Sequence, residues 1–206
     1  MQMNQAQQEA VQHKDGPMMV LAGPGSGKTL VITERTKYLI ENYHIPENQI
    51  LVITFTKAAA EEMKFRFLNL MGKNRTGVSF GTFHAIFFTI LKYAYHFNAQ
   101  NIAREEVRLQ LIKEIIHRLR LEHEDEKDLV NDLLSEISLV KGSKIELANY
   151  YSIHVSDEVF RQIYTEYNQR LRKANLIDFD DMLVYCHELL IERPDIRKLW
   201  QNKFQY

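Results

Sequence analysis

The stretch Ala22-Gly23-Pro24-Gly25-Ser26-Gly27-Lys28-Thr29 follows the apolar run Met18–Leu21 and precedes an apolar-periodic segment, Leu30–Ile40. This order predicts a strand, a glycine-rich loop and a helix, which is the context of a phosphate-binding loop. Glycines allow backbone N–H groups to converge on phosphate oxygens, and the helix adds the positive end of its dipole. The stretch therefore predicts that the chain binds a nucleoside triphosphate.

Two side chains at the end of this loop carry the chemistry. Lys28 can reach the terminal phosphates as a point charge, and the Thr29 hydroxyl can hold Mg²⁺. Ala22 departs from the motif, which begins with Gly, but Gly23 and Gly25 keep the loop flexible. The alternative is a glycine-rich turn without a ligand. It is disfavoured because the flanking segments predict the strand and helix that the motif needs.

The glutamine-rich segment Met3–His13 precedes the loop and predicts a short helix capped by Asn4. A primary amide can donate to and accept from one adenine edge, so a glutamine here is well placed to contact the nucleotide base. The alternative, a polar helix that only faces solvent, stays open on this evidence.

Length and composition indicate an ordinary globular protein. The 206 residues suffice for one large domain or two small ones, and the hydrophobic and charged contents are 45% and 26%. No apolar run approaches the roughly 20 residues of a membrane helix, and no secretory signal is evident. The single cysteine, Cys186, excludes an internal disulfide and is predicted to be an inert core thiol. These features indicate a cytoplasmic protein without a membrane segment.

The net charge of −1 argues neither for nor against a nucleic-acid partner. Residues 1–100 carry a basic excess of about three charges, and the remainder carries a similar acidic excess. A DNA-binding chain of this kind must concentrate its basic contacts in one groove.

Two further strand signals follow the phosphate loop, at residues 49–55 and 77–83, and helical sequences follow each of them. Strands that alternate with helices predict a parallel sheet with crossover helices. Ligands in such sheets gather at the carboxyl ends of the strands. The phosphate loop, Thr54-Phe55-Thr56 and Thr82-Phe83-His84 are all predicted to lie at such ends.

Beyond about residue 97 the strand signals disappear and three apolar stripes with helical spacing predict a helical subdomain. The stripes, interpreted as core, are Val107, Leu111, Ile112, Ile115, Ile116 and Leu119; Leu129, Leu133, Leu134, Ile137 and Val140; and Phe160, Ile163, Tyr164, Tyr167 and Leu171. The acidic run Glu122–Asp128 predicts a solvated loop and helix start rather than a metal site.

Three carboxylates, Asp178, Asp180 and Asp181, lie within four positions. A metal ion would need all three to bend inward, whereas only Asp178 and Asp181 share a helical face. We therefore favour an acidic helix N-terminus, where the helix dipole stabilises negative charge.

Five stretches together resemble the superfamily 1 DNA helicases of the UvrD/Rep (PcrA-like) type, in the family's order and over nearly the whole chain. They are Met3–Val11, Ala22–Thr29, Thr54–Met63, Gly81–His84 and Leu176–Leu183. The resemblance implies an α/β P-loop NTPase with a RecA-like parallel sheet, helices on both faces and an all-helical inserted subdomain. It implies a first RecA-like domain at 1–97, the insertion at 98–184 and a return into the RecA-like domain at 185–206.

The resemblance also implies the residue roles. ATP and Mg²⁺ would be the cofactors, with Thr29 on the metal, Lys28 and Thr29 catalytic, and nucleotide contacts from Gln7, Ala22, Gly23, Pro24, Gly25, Ser26, Gly27, Lys28 and Thr29. Single-stranded DNA and duplex junctions would be the partners, with contacts from Thr54, Phe55, Thr56, Lys57, Thr82, Phe83 and His84. From the residues alone, Phe55 and Phe83 would be assigned to the core, as strand-end aromatics usually are. Lys57 stands where the family usually has Asn, and a cation there could contact a DNA phosphate.

The family's acidic Mg²⁺-binding motif and second RecA-like domain are absent from these 206 residues. We therefore expect the chain to be the N-terminal piece of an ATP-dependent 3′–5′ helicase of DNA repair or recombination, without its C-terminal helicase domains. Alone it should bind nucleotide weakly and barely hydrolyse ATP or unwind DNA, because phosphoryl transfer needs the absent groups. Two alternatives remain: a non-enzymatic nucleotide- or DNA-binding module, and a small P-loop kinase, for which no arginine-rich lid segment is evident.

Overall fold

The computed structural model describes residues 3–121 and 126–206. The chain divides into two compact units: unit 1 comprises residues 1–86 and 194–206, and unit 2 comprises residues 87–193. The functional domain limits 1–97, 98–184 and 185–206 remain a prediction. Residues 122–125 of the predicted acidic loop lie outside the described residues. No helix within the described ranges is both long enough and apolar enough to cross a membrane.

Nine helices and two strands occur in the described residues. In chain order they are α1 (Gln5–Gln12), α2 (Lys28–Glu41), β1 (Leu51–Thr54), α3 (Lys57–Met71), β2 (Ser79–Thr82), α4 (Phe83–Tyr95), α5 (Glu105–Leu119), α6 (Glu126–Gly142), α7 (Asp157–Lys173), α8 (Phe179–Glu192) and α9 (Pro194–Lys203).

Local sequence explains where the first helices begin and end. The Asn4 side chain accepts a hydrogen bond from the Gln7 N–H, and the Gln7 side chain accepts one from the Asn4 N–H, which confirms the predicted cap of α1. The Thr56 side chain caps α3 by accepting a hydrogen bond from the Ala59 N–H. The helix is closed by Gly72, whose φ of 62° favours glycine.

The two strands of unit 1 pair in parallel, as predicted, from Leu51 opposite Ser79 to Thr54 opposite Thr82. The side chains that form the core of unit 1 come from α2, α3 and the segments at the two strands: Leu39, Ile50, Val52, Phe67 and Val78. These contacts fix β1 and β2 against the helices that follow the phosphate loop and β1.

The third predicted strand, Met18–Leu21, is not formed. Two of its four side chains are 83% and 88% exposed. A strand needs a neighbour for its hydrogen bonds, and both edges of β1 are already used at its start. β2 occupies one edge, and on the other the Tyr206 N–H donates to the Gln49 carbonyl while the Leu51 N–H donates to the Tyr206 carbonyl. The described residues thus form an α/β unit with a two-stranded parallel sheet, and they do not contain a full RecA-like sheet with helices on both faces.

Glu47 lies in a single 3-10 turn before β1 and holds the turn that leads into β2. Its carboxylate accepts hydrogen bonds from Lys73 Nζ at 2.7 Å, the Thr76 hydroxyl at 2.7 Å and the Gly77 N–H at 2.6 Å. The lysine contact, together with these hydrogen bonds, outweighs burial and lowers the pKa of Glu47 to about 2.

We expect Glu47→Gln to reduce the acid sensitivity of unit 1. A carboxylate with a lowered pKa stabilises the folded state above its ordinary pKa near 4.5, and this stabilisation is lost as pH falls toward 2. Because solvent screens the partly exposed pair, the contribution is about 1 kcal/mol. Urea unfolding at pH 7 and pH 3 measures this contribution, and the control is Glu41→Gln, a change at an exposed residue of α2. Equal pH dependence in wild type and Glu47→Gln would contradict the assignment.

In unit 2, helices α5, α6 and α7 pack around one apolar core. Most of the predicted stripe residues are buried there: Ile112, Ile115, Ile116, Leu129, Leu133, Leu134, Ile137, Val140, Phe160, Ile163, Tyr167 and Leu171. Val107 does not belong to the core as predicted, because it lies in the first turn of α5 and is 37% exposed. Cys186 is buried as predicted, and burial raises the pKa of its thiol to about 11, so it is unreactive at neutral pH.

A buried ionic network joins α6, α7 and α8 within unit 2. Lys141 Nζ lies 2.8 Å from Asp178 Oδ2 and 2.8 Å from Asp181 Oδ1. The Tyr167 hydroxyl donates to Asp178 Oδ2 at 3.0 Å, and Arg108 of α5 donates to the Tyr167 oxygen at 3.1 Å. Burial alone would raise the pKa of Asp178, but the Lys141 ammonium outweighs it and the pKa is lowered.

The same residues confirm the acidic helix N-terminus and leave the metal interpretation without support. Asp178 caps α8 by accepting from the Asp181 N–H, and the Asp181 carboxylate accepts from the Asp178 N–H. In the ranges that the structure covers, no group of three or more His, Cys, Asp or Glu side chains is arranged to hold a metal ion.

Candidate nucleotide and DNA site

The loop before α2 folds as a tight turn that depends on two glycines. Gly25 and Gly27 have φ angles of 73° and 81°, in the left-handed region that side chains with a Cβ rarely adopt. Within the loop, both the Ser26 N–H and the Ser26 hydroxyl donate to the Gly23 carbonyl. The turn therefore exposes successive backbone N–H groups at the start of α2, where they can bind an anion.

Lys28 is the first residue of α2, and its side chain folds back over the loop. Its ammonium donates to the Gly23 carbonyl at 2.8 Å and to the Ala22 carbonyl at 3.3 Å. The side chain is exposed, so a phosphate can approach it from solvent. The arrangement places one positive charge and the positive end of the α2 dipole beside the same loop.

Thr29 lies in the first turn of α2, next to Lys28, and is half-buried. A hydroxyl in this position fits Mg²⁺, because Mg²⁺ in nucleotide sites takes few protein oxygens and completes its shell with phosphates and water. Thr29 is therefore the residue of the loop that could hold the metal, and the charge of Mg²⁺ would help to neutralise the phosphates when bound.

Gln7 reaches from α1 to the phosphate loop. Its Nε2 donates to the Ser26 carbonyl at 3.0 Å, while its Oε1 accepts from the Asn4 N–H at 2.9 Å. A Cβ added at Gly27 would lie 3.2 Å from Gln7 Nε2, so the close approach also depends on that glycine. An amide has two N–H donors and two acceptor positions, so one of each remains for a ligand.

A cavity of about 370 Å³ lies between α1, the phosphate loop and α2. This volume is within the usual range for small-molecule sites. The polar residues that line it include Gln7, Ser26, Lys28 and Arg35, and the apolar ones include Ala6, Ala10, Met18, Val31 and Ile32. The combination of apolar walls and a cationic end suits a nucleotide, which has an apolar base face and an anionic phosphate chain.

Two aromatic rings meet where β1 and β2 end. The ring centroids of Phe55 and Phe83 are 5.5 Å apart, with 44° between the ring planes. Phe55 is 89% exposed and Phe83 is 37% exposed. Parallel pairing of Thr54 with Thr82 brings the two strand ends together, as the sequence predicts. The core assignment based on the residues alone is wrong for Phe55.

The other predicted DNA contacts divide into exposed and inward-facing residues. Lys57 is 88% exposed at its side chain and lies 3.6 Å from Glu61. Thr54 is buried, and its hydroxyl donates to the Thr56 carbonyl. The Thr56 and Thr82 hydroxyls accept N–H groups at the starts of α3 and α4. His84 is half-buried in the first turn of α4. The threonines therefore shape the strand ends, whereas Phe55 and Lys57 face solvent.

The sequence analysis did not identify Arg35 of α2 or its contacts with α1. Arg35 lies seven residues, about two helical turns, after Lys28, so the spacing places both on one side of the helix. That spacing was the available signal. The carbonyl partners of Arg35 lie more than twenty residues earlier in the chain and could not be read from periodicity.

Comparisons with known proteins identify the family to which the chain is similar. Residues 3–206 match the family model described as UvrD/REP helicase N-terminal domain. The chain is 36% identical to the ATP-dependent DNA helicase Rep of Escherichia coli K12 over all of its length. It is 33% identical to the ATP-dependent DNA helicase PcrA of Bacillus subtilis 168 and 34% identical to the DNA helicase II of Rickettsia typhi, each over 99% of its length. It spans 31%, 28% and 32% of these three relatives, respectively.

Proposed function

Because the chain belongs to the family of UvrD/REP helicase N-terminal domains, we propose that it binds ATP and single-stranded DNA as part of an ATP-dependent DNA helicase. The relatives named above are DNA helicases, two of them named as ATP-dependent. The chain spans less than a third of each, so unwinding, 3′–5′ movement and a role in DNA repair or recombination belong to the proposal for the whole protein. The relatives are bacterial DNA helicases, and bacterial DNA lies in the cytoplasm, so we propose a cytoplasmic location for the chain.

The ATP part of the proposal is supported by the loop geometry. Residues 22–27 and the first turn of α2 would surround the phosphates, with Lys28 contacting the terminal phosphates and Thr29 holding Mg²⁺. The remaining donor and acceptor of the Gln7 amide would meet the N6 and N7 edge of adenine. Base and phosphates would then be bound by elements that already contact one another through Gln7 and Ser26.

The DNA part of the proposal is carried by one observation, the 89% exposure of Phe55 at the end of β1. An aromatic ring of this size is normally buried, and its exposure beside Phe83 leaves a stacking surface for an unpaired base. Stacking is tolerant of base identity, which suits a protein that moves along DNA of any sequence. Lys57, two residues later, could contact a neighbouring phosphate.

We expect Phe55→Ala to weaken binding of a fluorescent oligo(dT) about tenfold, because one stacked base contributes about 1–3 kcal/mol. ATP affinity, measured on the same protein, should change less than about twofold. Phe65→Ala is the matched control, because Phe65 is 64% exposed on α3 but does not lie at a strand end. Equal losses in both variants, or no loss in Phe55→Ala, would contradict the stacking role.

A further inference from the structure

Arg35 fastens the end of α1 to α2. Its guanidinium donates to the Ala10 carbonyl at 3.1 Å and also to the His13 carbonyl. These carbonyls belong to the last turn and cap of α1, where helix geometry leaves acceptors without intrahelical partners. A cation at this end also interacts favourably with the helix dipole. Burial lowers the pKa of Arg35, but a guanidinium remains charged at neutral pH.

Polar contacts with α2 matter for α1 because the helix is short and buries little apolar surface. The helix has eight residues, and only Ala10 and Val11 among them are buried. Helices this short are marginal without tertiary contacts. The Tyr43 hydroxyl donates to the Gln12 carbonyl at 2.7 Å and adds a second contact at the same end. The position of α1 is thus fixed at its C-terminal end by α2 and the residues that follow it.

The opposite end of α1 carries Gln7, which donates to the Ser26 carbonyl of the phosphate loop. Lys28 and Arg35 are on the same helix, α2, so their separation is fixed by the helix itself. Arg35 therefore determines where Gln7 stands relative to Lys28. Because the ribose links adenine to its phosphates over a limited range of distances, this separation decides whether Gln7 and Lys28 can contact one nucleotide at the same time.

We propose that Arg35 is a specificity-determining positioning residue, which sets α1 so that the Gln7 amide reads adenine while Lys28 holds the phosphates. The inference rests on the proposed base contact of Gln7. Arg35 itself need not touch the base. It acts by keeping a short helix in the one position from which an amide pairs with both the N6 amine and N7.

The test compares ATP with inosine triphosphate (ITP), which has a carbonyl in place of the N6 amine and so cannot pair with the amide in the same way. Competition against a fluorescent ADP analogue gives both dissociation constants for the 206-residue chain. We expect wild type to prefer ATP about tenfold. Gln7→Ala and Arg35→Ala should each bring the preference below about threefold, chiefly by weakening ATP. The double variant should show no further loss, because Arg35 acts through Gln7.

Lys37→Ala is the control, because it removes a charge from the same helix at a partly exposed residue whose ion pair is with Glu41, 3.8 Å away. Its preference for ATP should equal that of wild type. Equal weakening of ATP and ITP in Arg35→Ala would overturn the inference, since a general structural role would produce it. An unchanged preference in Gln7→Ala would instead overturn the base contact in the proposed function and the inference with it.

Arg35→Lys covers the case in which Arg35→Ala does not fold, as judged by circular dichroism. A lysine keeps the charge but can bond both carbonyls less well than the two-armed guanidinium. We expect an intermediate ATP preference with folding intact. A wild-type preference in Arg35→Lys, combined with no folded Arg35→Ala protein, would overturn the inference, because the position of Gln7 would then not depend on the guanidinium contacts.

Discussion

Asp178→Ala should lower the free energy of unfolding of unit 2 by about 3–5 kcal/mol, among the largest stability losses expected from a single substitution in this chain. Asp178 is completely buried, and its carboxylate bonds the Lys141 ammonium, the Tyr167 hydroxyl and the Asp181 N–H. Removing the Asp178 carboxylate leaves the buried Lys141 ammonium with the Asp181 carboxylate alone of this pair, and it removes the N-terminal cap of α8. Urea unfolding followed by circular dichroism measures the loss.

Glu188→Ala is the control for this variant, since Glu188 is exposed on the same helix. Its effect should stay below about 0.5 kcal/mol. Adding Lys141→Met to Asp178→Ala removes the stranded ammonium, so the double variant should lose less stability than the sum of the two single variants. A loss below about 1 kcal/mol in Asp178→Ala would show that the network does not hold the helices of unit 2 together.

Elements set by local sequence were predictable, whereas one set by a distant partner was not. The Asn4 cap, the helix after the phosphate loop and the parallel strands followed from residue types and periodicity. Met18–Leu21 has the composition of a strand but does not pair within the described residues, where β2 lies on one edge of β1 and Tyr206 bonds the other edge at its start. Composition describes what a segment can form. Pairing depends on residues almost two hundred positions away.

The candidate site shows the same division. The phosphate loop could be identified from glycine spacing, because the backbone itself forms the anion site. The Gln7 contact with Ser26 spans 19 positions, and the Lys141 contacts with Asp178 and Asp181 span 37 and 40 positions. Periodicity carries no information at such separations. The exposure of Phe55 was predicted only through the family resemblance, since residue type alone favoured a core position.

Lys28→Ala should weaken ATP binding about a hundredfold while leaving adenosine binding unchanged. The ammonium is the single full positive charge that the loop side chains supply, and charged hydrogen bonds contribute about 1.5–3 kcal/mol each. Within the described residues its hydrogen bonds go to the exposed loop carbonyls of Ala22 and Gly23, so its loss should change the melting temperature little. Isothermal titration with ATP and adenosine separates the phosphate contact from the base contact.

The same titration on two further variants tests whether the loss in Lys28→Ala comes from a phosphate contact. Lys37→Ala, which removes a charge from the same helix, should bind ATP as wild type does, and this excludes a general effect of net charge. Lys28→Arg should recover binding only in part, because a planar guanidinium cannot replace a compact ammonium beside the loop. ATP affinity in Lys28→Ala within threefold of wild type would contradict a phosphate role for this lysine. The triphosphate would then have to rely on the backbone N–H groups of Gly25, Gly27, Lys28 and Thr29, a weaker interaction that should bind sulfate or phosphate almost as well.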